Sequence, residues 1–133
     1  MRYLLDTNIL SAMVRSPRGP VAEQVRRVGE TEIYTSVVVA AELRYGALRK
    51  GSDRLTRQVE AVLGAVSLEP WRVPYDAIYA NLRLGLERAG TPIGANDLLI
   101  ATQALADGSV LVTDNTREFA RISGLAIENW VRP

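Results

Sequence analysis

Tyr3-Leu4-Leu5-Asp6-Thr7-Asn8 decides the fold. Tyr3 to Leu5 is an unbroken apolar run too short for a helix, and Asp6-Thr7-Asn8 supplies the turn and capping chemistry that ends it. A strand without polar alternation is buried on both faces, as in a parallel sheet covered by helices. Tyr3 to Asp6 therefore reads as a buried strand, and Thr7 to Val14 as a helix stopped by Ser16-Pro17-Arg18-Gly19-Pro20.

The same alternation continues along the 133 residues. Val21, Val25 and Val28 mark the apolar stripe of a second helix, and Glu32 to Thr35 is a short β-rich piece. Ser36 is placed to cap a helix running to about Arg49, with Gly51 just beyond its end. Asp53 is the expected cap of the next helix, whose stripe is Leu55, Val59, Val62, Leu63 and Val66. Ser67 to Glu69 suits a short strand, and Pro74 the first position of a helix from about Tyr75 to Ala89. Ala95 or Asn96 opens a helix to about Ala106, and Ser109 to Thr113 is an apolar strand. Asn115 and Glu118 have the spacing of a capping box, and Leu125 to Glu128 reads as a last strand. Short apolar strands between helices predict an α/β fold with a mostly parallel sheet covered on both faces. The length predicts one domain, residues 1–133.

Three acids stand in sequence that otherwise reads as core. Asp6 ends its strand, Glu42 lies between Val37-Val38-Val39-Ala40-Ala41 and Leu43, and Asp97 precedes Leu98-Leu99-Ile100-Ala101. An ionised carboxylate is costly to bury unless a cation or hydrogen-bond donors compensate it. In open α/β sheets ligands bind beyond the carboxyl ends of the strands. Asp6 and Asp114 lie at such ends, while Glu42 and Asp97 lie in early helical turns that lean toward the same edge. Val38, Val39, Tyr45 and Gly46 surround Glu42 at helical spacing and read as buried, so Glu42 needs a partner. Arg44 or Arg49 provides one in a structural ion pair, and a shared divalent metal provides one in an active site. Taken singly, Asp6 also suits an Asx turn or cap, and Asp97 a first-turn acid favoured by the helix dipole.

Composition removes most other chemistry. Without histidine or cysteine there is no Ser-His-Asp triad, no cysteine nucleophile and no histidine base. Zinc, which prefers nitrogen and sulfur, is disfavoured for the same reason. The single lysine, Lys50, sits at an expected helix end, a poor place for a desolvated base. Oxygen ligands remain, and they suit magnesium or manganese. The net charge of +1 says little, although nearly all the positive charge is arginine, which binds phosphate well. Codon bias explains the same preference. No apolar run approaches the ~20 residues of a membrane span. Met1-Arg2 leads straight into a strand without signal-peptide layout, so a cytoplasmic location is expected.

Competing readings follow from the same acids. A haloacid-dehalogenase-like phosphatase usually has a second aspartate where Asn8 stands, and it and a receiver domain use a later lysine, whereas none follows Lys50. A DNA-directed nuclease fits the metal chemistry. A non-catalytic interaction protein whose acids only cap helices would show no magnesium-linked stabilisation.

The ordered set is more specific than its parts. Tyr3-Leu4-Leu5-Asp6-Thr7-Asn8, Ala41-Glu42-Leu43-Arg44-Tyr45-Gly46, Pro92 to Ala101, Leu111 to Phe119 and the tail Gly124-Leu125 to Glu128-Asn129-Trp130 together resemble PIN-domain ribonucleases. The likeness is to the VapC toxins of bacterial toxin–antitoxin modules. It implies a three-layer α/β/α sandwich with a central parallel sheet. It also implies a magnesium-dependent endoribonuclease, the toxic component of its module, which cleaves RNA by metal-activated water. Some relatives cut tRNA. A homodimer and a cognate antitoxin protein are implied as partners. Such an antitoxin is expected around the two amphipathic helices from Ser36 to Val66, with a basic side chain reaching the acids.

On this resemblance Asp6, Glu42 and Asp97 form the acidic pocket, with Asp6 and Asp97 holding magnesium or, as a substitute, manganese. Many members carry an aspartate where this chain has Asn115, which leaves Asp114 or Glu118 as the fourth acid. Glu118 is expected, because a first-turn residue can point across the strand ends toward Asp97. Thr7, Asn8 and Thr113 are the expected donors that orient the acids.

Overall fold

The structure, a computed structural model, describes residues 1–132. In chain order the elements are β1 (Tyr3–Leu5), α1 (Thr7–Arg15), α2 (Pro20–Val28), a 3-10 turn (Glu30–Glu32), β2 (Ile33–Ser36), α3 (Val37–Lys50), α4 (Asp53–Gly64) and β3 (Ser67–Glu69). There follow α5 (Tyr75–Arg88), α6 (Ala95–Asp107), β4 (Val110–Val112), α7 (Thr116–Phe119) and β5 (Ile127–Glu128). The strands form one five-stranded sheet in the order β3-β2-β1-β4-β5, and every pairing is parallel. The helices flank this sheet, giving the expected α/β sandwich.

The central strand is β1. Tyr3 and Leu4 pair with Ile33 and Tyr34 of β2 on one side, and Tyr3, Leu4 and Leu5 pair with Val110, Leu111 and Val112 of β4 on the other. Leu4 and Leu5 are fully buried, as are Ile9, Leu10, Val39, Ile100, Leu111, Val112 and Phe119 from the surrounding elements. The chain leaves β1 toward β2 and later returns to place β4 on its far side, so the strand order reverses at β1. That reversal opens a crevice at the carboxyl ends of β1 and β4, where open α/β sheets bind ligands.

Three helix starts face this edge because almost no chain separates them from it. Asp6 is the N-cap of α1, and its carboxylate accepts from the Thr7 amide at 2.8 Å. Ser36, the last residue of β2, caps α3 by accepting from the Val38 amide at 3.0 Å. α6 ends on Gly108 just before β4 begins, so its first turn lies beside the opposite, carboxyl end of β4. Gly51 closes α3 in the left-handed conformation, φ 65°, which a side chain would strain.

Local expectations fail where two residues compete for one role. Ser52, not Asp53, caps α4, accepting from the Leu55 amide at 3.1 Å, and Asp53 becomes the first helical residue. Pro74 is the N-cap of α5 rather than its first residue. Tyr45, expected in the core, is 64% exposed. The buried stripe of α3 runs Val39, Ala40, Leu43 and Ala47, and Tyr45 falls outside that arc. The last strand is shorter than expected, only Ile127–Glu128.

A second polar cluster ties β2 to α5 and α6. The fully buried Tyr34 hydroxyl bonds Asp107 Oδ2 at 2.8 Å and Ser109 Oγ at 2.7 Å. The Tyr75 hydroxyl donates to Asp107 Oδ1 at 2.7 Å. Burial and the adjacent Asp107 charge keep both phenols protonated, pushing Tyr75 up to about 12 and Tyr34 higher.

Candidate active site

Asp6 is 2% exposed and is oriented at both oxygens. Oδ1 accepts from the Thr7 amide, while Oδ2 accepts from Thr113 Oγ1 at 2.8 Å and Asn8 Nδ2 at 3.3 Å. Thr113, itself fully buried, extends β4 beside β1, so this bond spans the two strands that flank the crevice. Asn8 reaches the same side, accepting from the Asp114 amide at 2.9 Å. Thr7, Asn8 and Thr113 are thus the donors that fix the geometry around the acids.

Glu42 has no arginine partner. Arg44 points to Glu60 instead, with two bonds at 2.9 and 3.0 Å. Glu42 Oε1 accepts from Thr7 Oγ1 at 2.6 Å, and Oε2 from Asn96 Nδ2 at 3.3 Å. Asn96 escaped sequence reading because its role rests on the approach of α3 to α6, a tertiary contact.

Asp97, partly exposed in the first turn of α6, completes the group. Its loss of solvent, then the charges of Asp6, Glu118 and Glu42, push its carboxyl up to about 7. Burial likewise raises Asp6, against the bonds from Thr113 and Thr7. Glu118 moves the other way, held below the ordinary range by bonds from Asn115 Nδ2 at 2.9 Å and the Gly94 amide at 3.0 Å. The two carboxyls are thus pushed apart, Asp97 upward and Glu118 downward, although they stand side by side.

One pocket of about 440 Å³ gathers Asp6, Glu42, Asp97 and Asp114 on its wall, together with Ser11 and Arg15. Glu118 is not on that wall but stands beside Asp97, within 4 Å of the same point next to Gly94. The capping box is not formed. Asn115 occupies the N-cap position without a side-chain cap bond: its side-chain amide donates to Glu118, and its backbone amide goes to Thr113 Oγ1 at 3.0 Å instead of to Glu118. Asp114 carries bonds of its own, from Asn129 Nδ2 at 3.0 Å and Arg132 at 3.4 Å.

Among the described residues no three acidic side chains converge closely enough to chelate one ion as they stand. The donor set nonetheless fits a hard cation. None of the five ion pairs among the described residues involves Asp6, Glu42 or Asp97. Three neighbouring carboxylates thus share a pocket with none of them held in an ion pair. Magnesium needs only one or two of them, keeping waters and substrate oxygens in its remaining positions.

The chain is similar to known proteins over nearly its whole length. The profile of the PIN domain family matches residues 3–125. The chain is 36% identical over 132 residues to Ribonuclease VapC2 of Rickettsia felis, covering 98% of both. It is 34% identical over 134 residues to the tRNA(fMet)-specific endonuclease VapC of Shigella flexneri, again 98% of both. Among solved structures it is similar to VapBC2 from Rickettsia felis bound to a DNA fragment from their promoter, with a TM-score of 0.91 at 33% identity, covering 98% of this chain and 99% of that one.

Proposed function

Since the chain belongs to the PIN domain family and, within it, to the VapC ribonucleases, we propose that it is a magnesium-dependent endoribonuclease and the toxic half of a toxin–antitoxin pair. The observation that carries the reading is the pocket at the strand-order reversal. There Asp6, Glu42 and Asp97 line one wall with no ion pair to any of them.

Asp6 and Asp97 would hold the magnesium, with manganese as a substitute. Once bound, such an ion supplies a Lewis acid for the phosphate and lowers the pKa of water. The protein's part is orientation. Thr113, Asn8 and the Thr7 amide fix both oxygens of Asp6, and Thr7 and Asn96 fix Glu42. Burial and the neighbouring carboxylates raise the Asp97 carboxyl to about 7, and a bound cation would favour its ionised form. Glu118, fixed by the Gly94 amide and Asn115, sets a second negative charge beside Asp97.

Transfer RNA is the proposed substrate class, on the strength of the Shigella flexneri relative's name. The proposed antitoxin lies along the apolar groove of about 310 Å³ between α1, α3 and α4, which ends on Glu42 at the acidic pocket. A second copy is the proposed partner for the exposed apolar residues of α3, Val37, Tyr45 and Leu48. The proposed compartment is the cytoplasm, where such RNA is found. Among the described residues no helix is long and apolar enough to cross a membrane. The deciding experiment incubates purified protein with total RNA, in magnesium or in chelator, and maps the cut ends. Cuts confined to the magnesium sample support the reading, and equal cutting in chelator overturns it.

A further inference from the structure

The pocket wall contains one basic residue among its acids, Arg15. It stands in the last turn of α1, two turns after Thr7 and one after Ser11, on the same face of that helix. Thr7 spends its hydroxyl on Glu42. Arg15 takes part in none of the five ion pairs among the described residues, although Glu42 lines the same pocket. It also lines the neighbouring groove, so it stands where the acidic pocket opens into that groove.

We propose that Arg15 binds the RNA phosphate next to the scissile one, with the Ser11 hydroxyl as a second donor. The inference rests on the endoribonuclease reading and adds the residue that docks the strand. A polyanion meets a wall of four carboxylates, and a cation held by two of them offsets only part of that charge. A partner-free guanidinium at the rim supplies the missing attraction and matches a phosphate's paired oxygens with its planar fork. Its position at the helix carboxyl end favours its positive charge through the dipole and leaves its donors unused. Arg15 is thus a binding and positioning residue, not one that touches the reacting atoms.

The test uses the Asp97→Asn chain, so that the RNA stays whole, and measures binding of a fluorescent single-stranded RNA across a series of salt concentrations. Adding Arg15→Gln should weaken binding about tenfold at low salt. It should also lower the slope of log affinity against log salt by about 0.7, the loss of one phosphate contact. Arg15→Lys should keep the slope and recover part of the affinity, while Arg26→Gln on α2 should change neither. Binding and slope unchanged in Arg15→Gln would overturn the proposal. So would losses that are equal in Arg15→Lys and Arg15→Gln. Cleavage by the chain with Asp97 intact is followed separately. Absent cleavage with Arg15-dependent binding would sink the nuclease reading and leave the docking role standing.

Discussion

Thr7 Oγ1 and Glu42 Oε1 lie 2.6 Å apart, joining the first residue of α1 to the second turn of α3 across 35 positions of sequence. The bond holds Glu42, which stays half-buried, to a residue whose amide also donates to the Asp6 carboxylate. One residue thereby orients two acids. Thr7→Val keeps the shape and removes the hydroxyl. Cleavage should fall about tenfold with the melting temperature little changed, and Thr7→Ser should restore most of the rate. A full rate in Thr7→Val would show that Glu42 needs no such tether.

Asp6→Asn and Asp97→Asn should each abolish magnesium-dependent cleavage while the fold, followed by circular dichroism, stays intact. Glu42→Gln should lower cleavage by about 100-fold or more, and its stability should hold or rise because repulsion within the pocket is relieved. Retained specific activity with a large loss of stability would assign Glu42 a structural role instead.

The pH dependence of the metal-free protein follows from Asp97. Its carboxyl is raised from an ordinary 3.8 to about 7, so the folded chain holds a proton there that the unfolded chain has released. Between roughly those two values the folded state binds more protons, and stability falls as pH rises. Burial gives Asp6 the same sign. In chelator, melting temperature should therefore drop from pH 5 to pH 8. Magnesium should raise it most at the upper end, and Asp97→Asn should flatten the profile. A flat profile in the unaltered chain would contradict the raised Asp97.

Glu118 and Asp114 separate by what each touches. Glu118→Gln removes the charge that helps raise Asp97, so the midpoint of the stability profile should move to lower pH and magnesium affinity should weaken. Asp114→Asn loses a mostly exposed pair with Arg132, which is worth little. Isothermal titration with magnesium, beside a cleavage assay, distinguishes them. Loss of cleavage and affinity in Asp114→Asn alone would make Asp114 the fourth acid.

Tyr34 offers a control remote from the acids. Tyr34→Phe removes a buried hydroxyl that bonds Asp107 and Ser109, leaving both short of a partner. Denaturant unfolding should show a loss of about 1–3 kcal/mol, with activity per folded molecule unchanged.

Much of the fold was legible because strand and helix periods are local properties. Leu4 and Leu5 announced a doubly buried strand, and Ser36 and Gly51 bracketed α3 as their chemistry requires. The acids at positions 6, 42 and 97 were legible because charge inside apolar sequence demands compensation. What stayed hidden depends on distant approach. Asn96 meets Glu42 only after α6 packs on α3, and the expected capping box is lost because Thr113 takes the Asn115 backbone amide while the free oxygen of Glu118 reaches the Gly94 amide. Asp53 lost the cap of α4 to Ser52 by one position, a choice that two adjacent capping residues leave open in sequence. Thr7, Ser11 and Arg15 do share a helical face, and that four-residue spacing was the signal available for Arg15.

The position of β1 at the centre of the sheet has a temporal consequence. The strand made first acquires its second neighbour only when β4 exists, and Thr113, the residue that steadies Asp6, arrives immediately afterwards. Emerging from the ribosome in order, the chain has Asp6 and Glu42 well before Asp97 and Glu118. Loops of this length close late. Any power to cut RNA therefore appears only once α6 and β4 have joined the sheet beside β1, long after Asp6 and Glu42 have been made.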